Sequence, residues 1–93
     1  MIEGGNYMES IMIQKAREVV LKYINDNMNV GDKHIKYDDT YVVWFSKTLQ
    51  NWKALISTTI PDGMYYEVTY NGSKKEIYLD AYKRWENVVI HIE

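Results

Sequence analysis

The chain has 93 residues, enough for one domain with one modest core and too few for a deep active-site cleft beside it. The net charge of −2 argues against a protein that binds nucleic acid by neutralising phosphates, and the absence of cysteine excludes disulfides, thiolate catalysis and cysteine-type zinc sites. The first residues lack the basic and apolar regions of a signal peptide, and no stretch approaches the roughly 18 apolar residues of a membrane span. We therefore expect a single cytoplasmic domain over residues 1–93.

The N-terminal part of the chain predicts one long amphipathic helix. Residues 1–6 are expected to be a flexible leader, and Asn6 or Ser10 could cap the helix that follows over 7–28. Apolar residues recur there every three or four positions: Met8, Ile11, Met12, Ala16, Val19, Val20, Tyr23, Ile24 and Met28. Charged residues and turn formers then indicate a linker over 29–39.

From Thr40 onward, β-branched and aromatic residues predict strands separated by turn signals. The strands are expected at 40–49, 52–60, 64–71 and 75–83. A two-residue turn is expected at Gln50-Asn51, a three-residue loop at 61–63, and a hairpin at Asn71-Gly72. The predicted fold is α+β, with the helix on one face of a four- or five-stranded antiparallel meander sheet.

Two alternatives concern the C-terminal part of the sequence. Residues 85–93 contain VVIHI, which could add a fifth short strand. The spacing of Tyr78, Ala81, Tyr82 and Trp85 also fits a short helix over 79–87, although a strand is the favoured interpretation.

Because side chains alternate along a strand, the turns determine which residues share a face. One face is nearly all apolar and is expected to pack on the helix; it comprises Val43, Phe45, Leu49, Trp52, Ala54, Ile56, Met64, Tyr66, Val68, Tyr70, Ile77, Leu79 and Ala81. A two-residue loop at Asn71-Gly72 would set Glu67 opposite Glu76, a like-charge pair that a four-residue loop would relieve.

The opposite face mixes aromatics with hydroxyls and charges, which is typical of an interaction surface. Its candidate binding residues are Trp44, Tyr65, Tyr78, Tyr82, Thr48, Glu67 and Asp80. Candidate basic contacts, close enough to strand ends to meet a phosphate, are Lys47, Lys53, Lys83 and Arg84. The partner could be a second copy, giving a homodimer or higher homo-oligomer, or a ligand whose flat ring stacks on the aromatics.

Signatures of catalysis are missing from the sequence. His34 and His91 have no second histidine or cysteine at metal-ligand spacing, and neither a phosphate-binding loop nor a nucleophile elbow is present. Glu67, Glu76 and Asp80 could act as acids or bases, but carboxylates on an exposed sheet are usually only solvated. We expect a binding protein without a metal or cofactor, and not an enzyme.

Three stretches carry a resemblance to a known family: VWFSKTLQNWKAL, PDGMYYEVTYNG and YLDAYKRWENV. Together with the rest of residues 40–88 and the helical N-terminal part, they resemble a family of small uncharacterised proteins from phages and prophages of Gram-positive bacteria. That family has no assigned activity, so the resemblance implies no catalytic residues. It implies a phage accessory protein that acts by binding in the infected bacterial host.

Three functions are compatible with that resemblance. The favoured one is an inhibitor of a host protein or of a protein of anti-phage defence. The alternatives are a sponge that sequesters a nucleotide immune signal and a structural component of the phage particle.

Overall fold

The computed structural model describes the backbone of residues 4–27 and 34–93, and the side chains of 10–27 and 34–93. One N-terminal helix packs against a four-stranded antiparallel meander sheet of order β1-β2-β3-β4, which confirms the predicted α+β fold. The elements are α1 (Gly4–Asp26), a short 3-10 helix (Tyr37–Asp39), β1 (Thr40–Thr48), β2 (Asn51–Thr58), β3 (Met64–Asn71) and β4 (Glu76–Lys83). In the described residues, no helix is long and apolar enough to cross a membrane.

Helix α1 begins earlier and ends slightly earlier than the pattern predicted. It starts at Gly4, so part of the expected leader 1–6 is helical, and the predicted caps Asn6 and Ser10 both lie inside the helix. Each glycine in a helix costs only about 1 kcal/mol, which a long helix with a buried stripe tolerates. Residues 1–3 and 28–33, including the predicted helix position Met28 and the first part of the predicted linker, lie outside the described residues.

The core lies between α1 and one face of the sheet. The helix contributes Ala16, Val20 and Ile24 at four-residue spacing and packs across β1, β2 and β3. The sheet contributes Trp52, Ala54, Ile56, Tyr66 and Val68, all of them buried. Complete burial of an aliphatic side chain such as Val20 stabilises the fold by about 1.5–3 kcal/mol.

Arg17 joins the middle of α1 to the start of β1. Its Nε donates a hydrogen bond to the Thr40 hydroxyl at 2.9 Å, and its Nη2 donates to the carbonyl oxygens of Tyr37 at 3.1 Å and Thr40 at 2.9 Å. The guanidinium also lies over the Tyr37 ring, 3.9 Å from its centroid. Nearer the helix end, the Asn25 side-chain amide exchanges two hydrogen bonds with the backbone of Ile35.

A β-bulge in β1 reverses part of the predicted pattern. Val42 pairs with Ile56 and Trp44 pairs with Leu55, so Val43 has no partner on β2. The extra residue changes the alternation, because the two steps from Val42 to Trp44 on β1 lie opposite the single step from Ile56 to Leu55 on β2. Val42 therefore packs against the core, and the predicted core position of Val43 is wrong: its side chain is 44% exposed.

The β1–β2 turn lies one residue earlier than expected, at Leu49-Gln50, with Thr48 paired to Asn51. Leu49 has a φ of 55° and is 79% exposed, so its predicted place on the core face is also wrong. A turn at Gln50-Asn51 would place Phe45 opposite Ile56, whereas Phe45 lies opposite Ala54. Because this is a shift of two positions, the residues between the bulge and the turn keep their predicted faces.

The other two loops are longer than the shortest turns that the sequence suggested. The β2–β3 loop spans 59–63 and the β3–β4 loop spans 72–75, the four-residue alternative. The two hairpin loops at this end touch: the Gly72 amide donates to Asn51 Oδ1 and the Gln50 side-chain amide donates to the Ser73 hydroxyl, both at 2.8 Å. A Cβ on Gly72 would lie 2.3 Å from the Gln50 carbonyl oxygen, so only glycine fits there.

Neither of the two alternatives for the C-terminal part of the sequence is found, the short helix over 79–87 or the fifth strand within 85–93. Residues 76–83 form strand β4, which confirms the strand over the helical alternative for 79–87. No fifth strand forms, because residues 84–93 have no regular secondary structure. Ala81, predicted to be covered by the helix, pairs with Tyr66 but is exposed on the edge strand.

Candidate interaction surface

The sheet face turned away from α1 is named the open face. Cross-strand pairing arranges it in four rows that run from β1 to β4. Three rows are complete: Tyr41–Ser57–Tyr65–Tyr82, Trp44–Leu55–Glu67–Asp80 and Ser46–Lys53–Thr69–Tyr78. The last row consists of two separate pairs, Thr48–Asn51 and Asn71–Glu76. Because α1 occupies the other side, no described helix or strand packs over these rows.

All seven predicted binding residues lie on this face. Trp44, Tyr78 and Tyr82 are 40%, 45% and 51% exposed, whereas Tyr65 and Glu67 are half-buried between their neighbours. The structure brings Glu67, Asp80 and Trp44 into one row and places Thr48 in the last row.

The predicted basic contacts are mostly elsewhere. Lys53 lies on the open face, but Lys47 and Lys83 are cross-strand neighbours of Trp52 and Met64, which belong to the helix side. Arg84 follows β4 and lies beside the β2–β3 loop at one end of the sheet. The side chains on this face therefore include one lysine.

Tyr41 was missed by sequence reasoning. It pairs with Ser57 and is 47% exposed in the same row as Tyr65 and Tyr82. Regular alternation from Trp44 would turn Tyr41 to the helix side, and only the bulge at Val43 returns it to the open face. The sequence holds no local turn signal for that bulge.

Two carboxylates occupy the centre of the open face. Glu67 and Asp80 are direct cross-strand partners on β3 and β4. Glu67 lies 3.8 Å from Lys53 Nζ, its side chain is only 19% exposed, and it accepts a 3.4 Å contact from the Tyr82 hydroxyl. The negative charge of Glu67 raises the pKa of Tyr82, because an ionised phenol there would be repelled.

A second acid and phenol meet at the outer edge. The Tyr78 hydroxyl donates to the Glu76 carboxylate, and this hydrogen bond raises the pKa of Tyr78 above its ordinary value. Both edge tyrosines thus keep their protons at neutral pH and present hydroxyl groups beside carboxylates.

A shallow hollow of about 490 Å³ lies on the open face next to Trp44. Its polar lining includes Ser46, Thr48, Asn51, Lys53, Thr69 and Asn71. An indole beside hydroxyl and amide groups can hold a flat polar ring by stacking and hydrogen bonds. A second hollow, of about 470 Å³, lies at the other end of the sheet between Tyr41, Tyr65 and Arg84.

Among the side chains of residues 10–27 and 34–93, no group of three or more His, Cys, Asp or Glu is placed to hold a metal ion. His34 and His91 are both exposed. The chemistry available on the open face is aromatic contact, hydrogen bonding and attraction of positive charge.

The fold and this face define a class: a small α+β protein with a helix on one side of its sheet and an uncovered aromatic and acidic surface on the other. A family model described as a family of unknown function (DUF6275) matches residues 13–92. The chain belongs to that family. No curated protein and no solved structure matches it.

Proposed function

We propose that this protein is a non-catalytic binding protein that holds a protein target on its open face. The observation that carries the proposal is the exposure of Trp44, Tyr78 and Tyr82 together on one face. Tryptophan and tyrosine are the residue types that contribute most binding energy at protein interfaces. Trp44 lies on β1 and the two tyrosines lie on β4, so the exposed aromatic groups flank the face at both of its edges, and a partner that covers the face would bury all three.

The charges on the open face favour a basic protein surface as the target. Glu67 and Asp80 are neighbours at its centre, Glu76 lies at its edge, and Lys53 is paired with Glu67. A phosphate group would be repelled by these carboxylates, whereas an arginine or lysine of a partner would be attracted to them. Aromatic groups around an acidic centre therefore fit a complementary surface with cations surrounded by apolar contacts.

The resemblance to proteins of phages and prophages supports a more specific proposal. The target would be a protein of the infected bacterial host or of its anti-phage defence, bound in the host cytoplasm. The protein would inhibit this target by covering its functional surface. A domain of this size can bury the roughly 800 Å² per partner that a standard interface needs.

The test is affinity capture from host lysate followed by reconstitution with the purified target. The double variant Trp44→Ala/Tyr78→Ala removes two aromatics from the open face, and Leu49→Ala removes an exposed apolar side chain from the β1–β2 turn, outside the four rows of that face. We expect the double variant to weaken the purified complex by at least about 100-fold in calorimetry, and Leu49→Ala to leave its affinity unchanged. Equal affinity for both variants and the wild type would exclude the open face as the binding surface.

The hollow beside Trp44 supports a second candidate, a sponge that sequesters a nucleotide signal. Its indole, amides and hydroxyls could hold a base, with Lys53 near the sugar or phosphate. Native mass spectrometry of protein purified from an infected host would then show a retained nucleotide-sized mass that Trp44→Ala releases. A ligand-free species would favour the protein target, and open-ended assemblies would favour a structural component of the phage.

A further inference from the structure

Residues 84–93 form an apolar segment that the rest of the described chain does not cover; it is named the exposed segment. Its side chains Trp85, Val88, Val89, Ile90 and Ile92 are 90%, 59%, 75%, 78% and 91% exposed. Residues 88–92 include four β-branched side chains, Val88, Val89, Ile90 and Ile92, which favour a strand. The family match extends to residue 92, so this segment is a shared part of the family's domain.

The exposed segment follows directly from β4. The Arg84 amide donates to the Gly63 carbonyl oxygen at 2.8 Å, one residue pair beyond the last β3–β4 partners Met64 and Lys83. At Arg84 the chain is therefore still paired with the end of the β2–β3 loop, and residues 85–93 continue from there without regular secondary structure. This segment has no neighbouring strand among the described residues, and its hydrogen-bonding groups and apolar side chains face solvent.

Strand β4 offers a matching surface. It is an edge strand of eight residues, it contains no bulge or proline, and alternate backbone groups point away from β3. Its helix-side residue Ala81 is exposed because α1 packs across β1, β2 and β3. The opposite edge, β1, is interrupted by the bulge at Val43 and is a poorer template.

We infer that the exposed segment pairs with the free edge of β4 in a second copy of this chain. The two copies exchange segments around a two-fold axis near Arg84, so that each β4 and its following segment form one long strand antiparallel to the same strand of the other copy. This arrangement pairs the free edge of each β4 with one edge of the segment of the other copy. It joins the two sheets into one of eight strands and leaves both open faces available, so it does not depend on the proposed function.

The area involved is sufficient for a stable dimer. Five exposed apolar side chains, one of them tryptophan, present on the order of 500 Å² per segment. Reciprocal exchange covers two segments and a comparable area of receiving surface, on the order of 2,000 Å² in total. That total lies within the range of stable interfaces, which is roughly 1,200–2,000 Å² or more.

The experiment compares the full chain with two variants by native mass spectrometry and sedimentation. Ile90→Asp places a charge in the exposed segment, and Leu49→Asp places the same charge on an equally exposed apolar residue at the far end of the sheet. We expect a dimer for the wild type and Leu49→Asp, and a dimer dissociation constant raised at least about 100-fold for Ile90→Asp. Near-ultraviolet circular dichroism from the buried Trp52 reports that each variant is folded.

Hydrogen exchange supplies the second readout. Amides of residues 85–92 and of the free edge of β4 are expected to exchange slowly in the wild type and rapidly in Ile90→Asp. A wild-type monomer would overturn the inference, whether its segment exchanges rapidly or is protected by folding back on its own chain. A dimer that Ile90→Asp leaves intact, or an open-ended assembly, would overturn it as well.

Discussion

Glu67 and Asp80 lie directly opposite each other on β3 and β4, in the middle of the open face. The four-residue loop at 72–75 relieves the expected clash of Glu67 with Glu76 but brings this second pair of acids together. A like-charge pair at opposite positions destabilises a sheet, and only Glu67 has a lysine nearby. Such a cost is understandable if the two carboxylates serve to bind a partner.

Removing one of these charges is expected to stabilise the free protein. Asp80→Asn should raise the free energy of unfolding by about 0.2–1 kcal/mol, because the cross-strand repulsion is lost. Asp38→Asn, an exposed acid in the short 3-10 helix, is the control and should change stability by less than about 0.5 kcal/mol. Urea denaturation measures both. If Asp80→Asn were less stable than the wild type, the acid pair would be held by attractive contacts instead. The same variant is also expected to bind the proposed target more weakly.

Arg17 is expected to be the most important polar residue between helix and sheet. Arg17→Gln removes a charged group with three hydrogen bonds and leaves the buried Thr40 hydroxyl with only its bond to the Tyr37 carbonyl oxygen, so the free energy of unfolding should fall by about 2–3 kcal/mol. Lys15→Gln, an exposed position on the same helix, should have an effect below about 0.5 kcal/mol. Equal midpoints of denaturation for the two variants would contradict this role.

The β1–β2 turn contains strain that one substitution should relieve. Leu49 adopts a φ of 55°, a conformation that disfavours branched aliphatic side chains and suits asparagine. Leu49→Asn should raise the free energy of unfolding by about 0.5–1 kcal/mol, and little is lost because the leucine is exposed. Leu49→Ala shortens the side chain without suiting the turn, so thermal unfolding should show no comparable gain for it.

Alkaline pH is expected to destabilise the fold partly through Tyr66. Burial is the main reason that the pKa of Tyr66 is raised above 10.0, with smaller contributions from Asp62 and Tyr23. The unfolded chain therefore loses this proton first as the pH rises. The stabilisation is complete below about pH 10 and is lost as the pH rises through the higher pKa of the folded state.

The variant Tyr66→Phe isolates this contribution. Its stability should decline less steeply above about pH 10 than that of the wild type, as measured by chemical denaturation across the alkaline range. Because Tyr78 and Tyr82 also have raised pKa values, the informative quantity is the difference between wild type and variant. Parallel pH profiles would show that Tyr66 ionises alike in the folded and unfolded chains.

Most side chains of the sheet could be assigned to the correct face, because the errors in strand pairing and loop length were shifts of two residues. The β2–β3 loop is two residues longer than the predicted one, and the β1–β2 pairing moved by two positions near the turn. A shift of two residues leaves every side chain on its own face, so Phe45, Trp52 and Tyr66 were placed correctly. Trp44 and the edge tyrosines Tyr78 and Tyr82 fell on the open face for the same reason.

The remaining differences arose where alternation alone holds no information. The bulge at Val43 is an odd step, and it exchanged the positions of Val42 and Val43 and brought Tyr41 to the open face. The basic side chains were predicted less well than the aromatic ones. Lys47 and Lys83 were chosen because they lie near strand ends, but alternation along β1 and β4 turns both to the helix side. The pairing of Glu67 with Asp80 could not be predicted, because the β3–β4 loop could have had either two or four residues.

The single unpaired residue of β1 also bears on how far a sheet built from this chain can grow. Without Val43, the remaining pairs Val42–Ile56 and Trp44–Leu55 would follow one another in regular register, so no other side chain would change face. The strand would, however, become a straight outer edge. A sheet with two usable edges can add copies without end, whereas a sheet with one can add a single copy. In the inferred dimer, the bulge at Val43 would therefore limit assembly to two copies, where a straight β1 edge would permit a fibre.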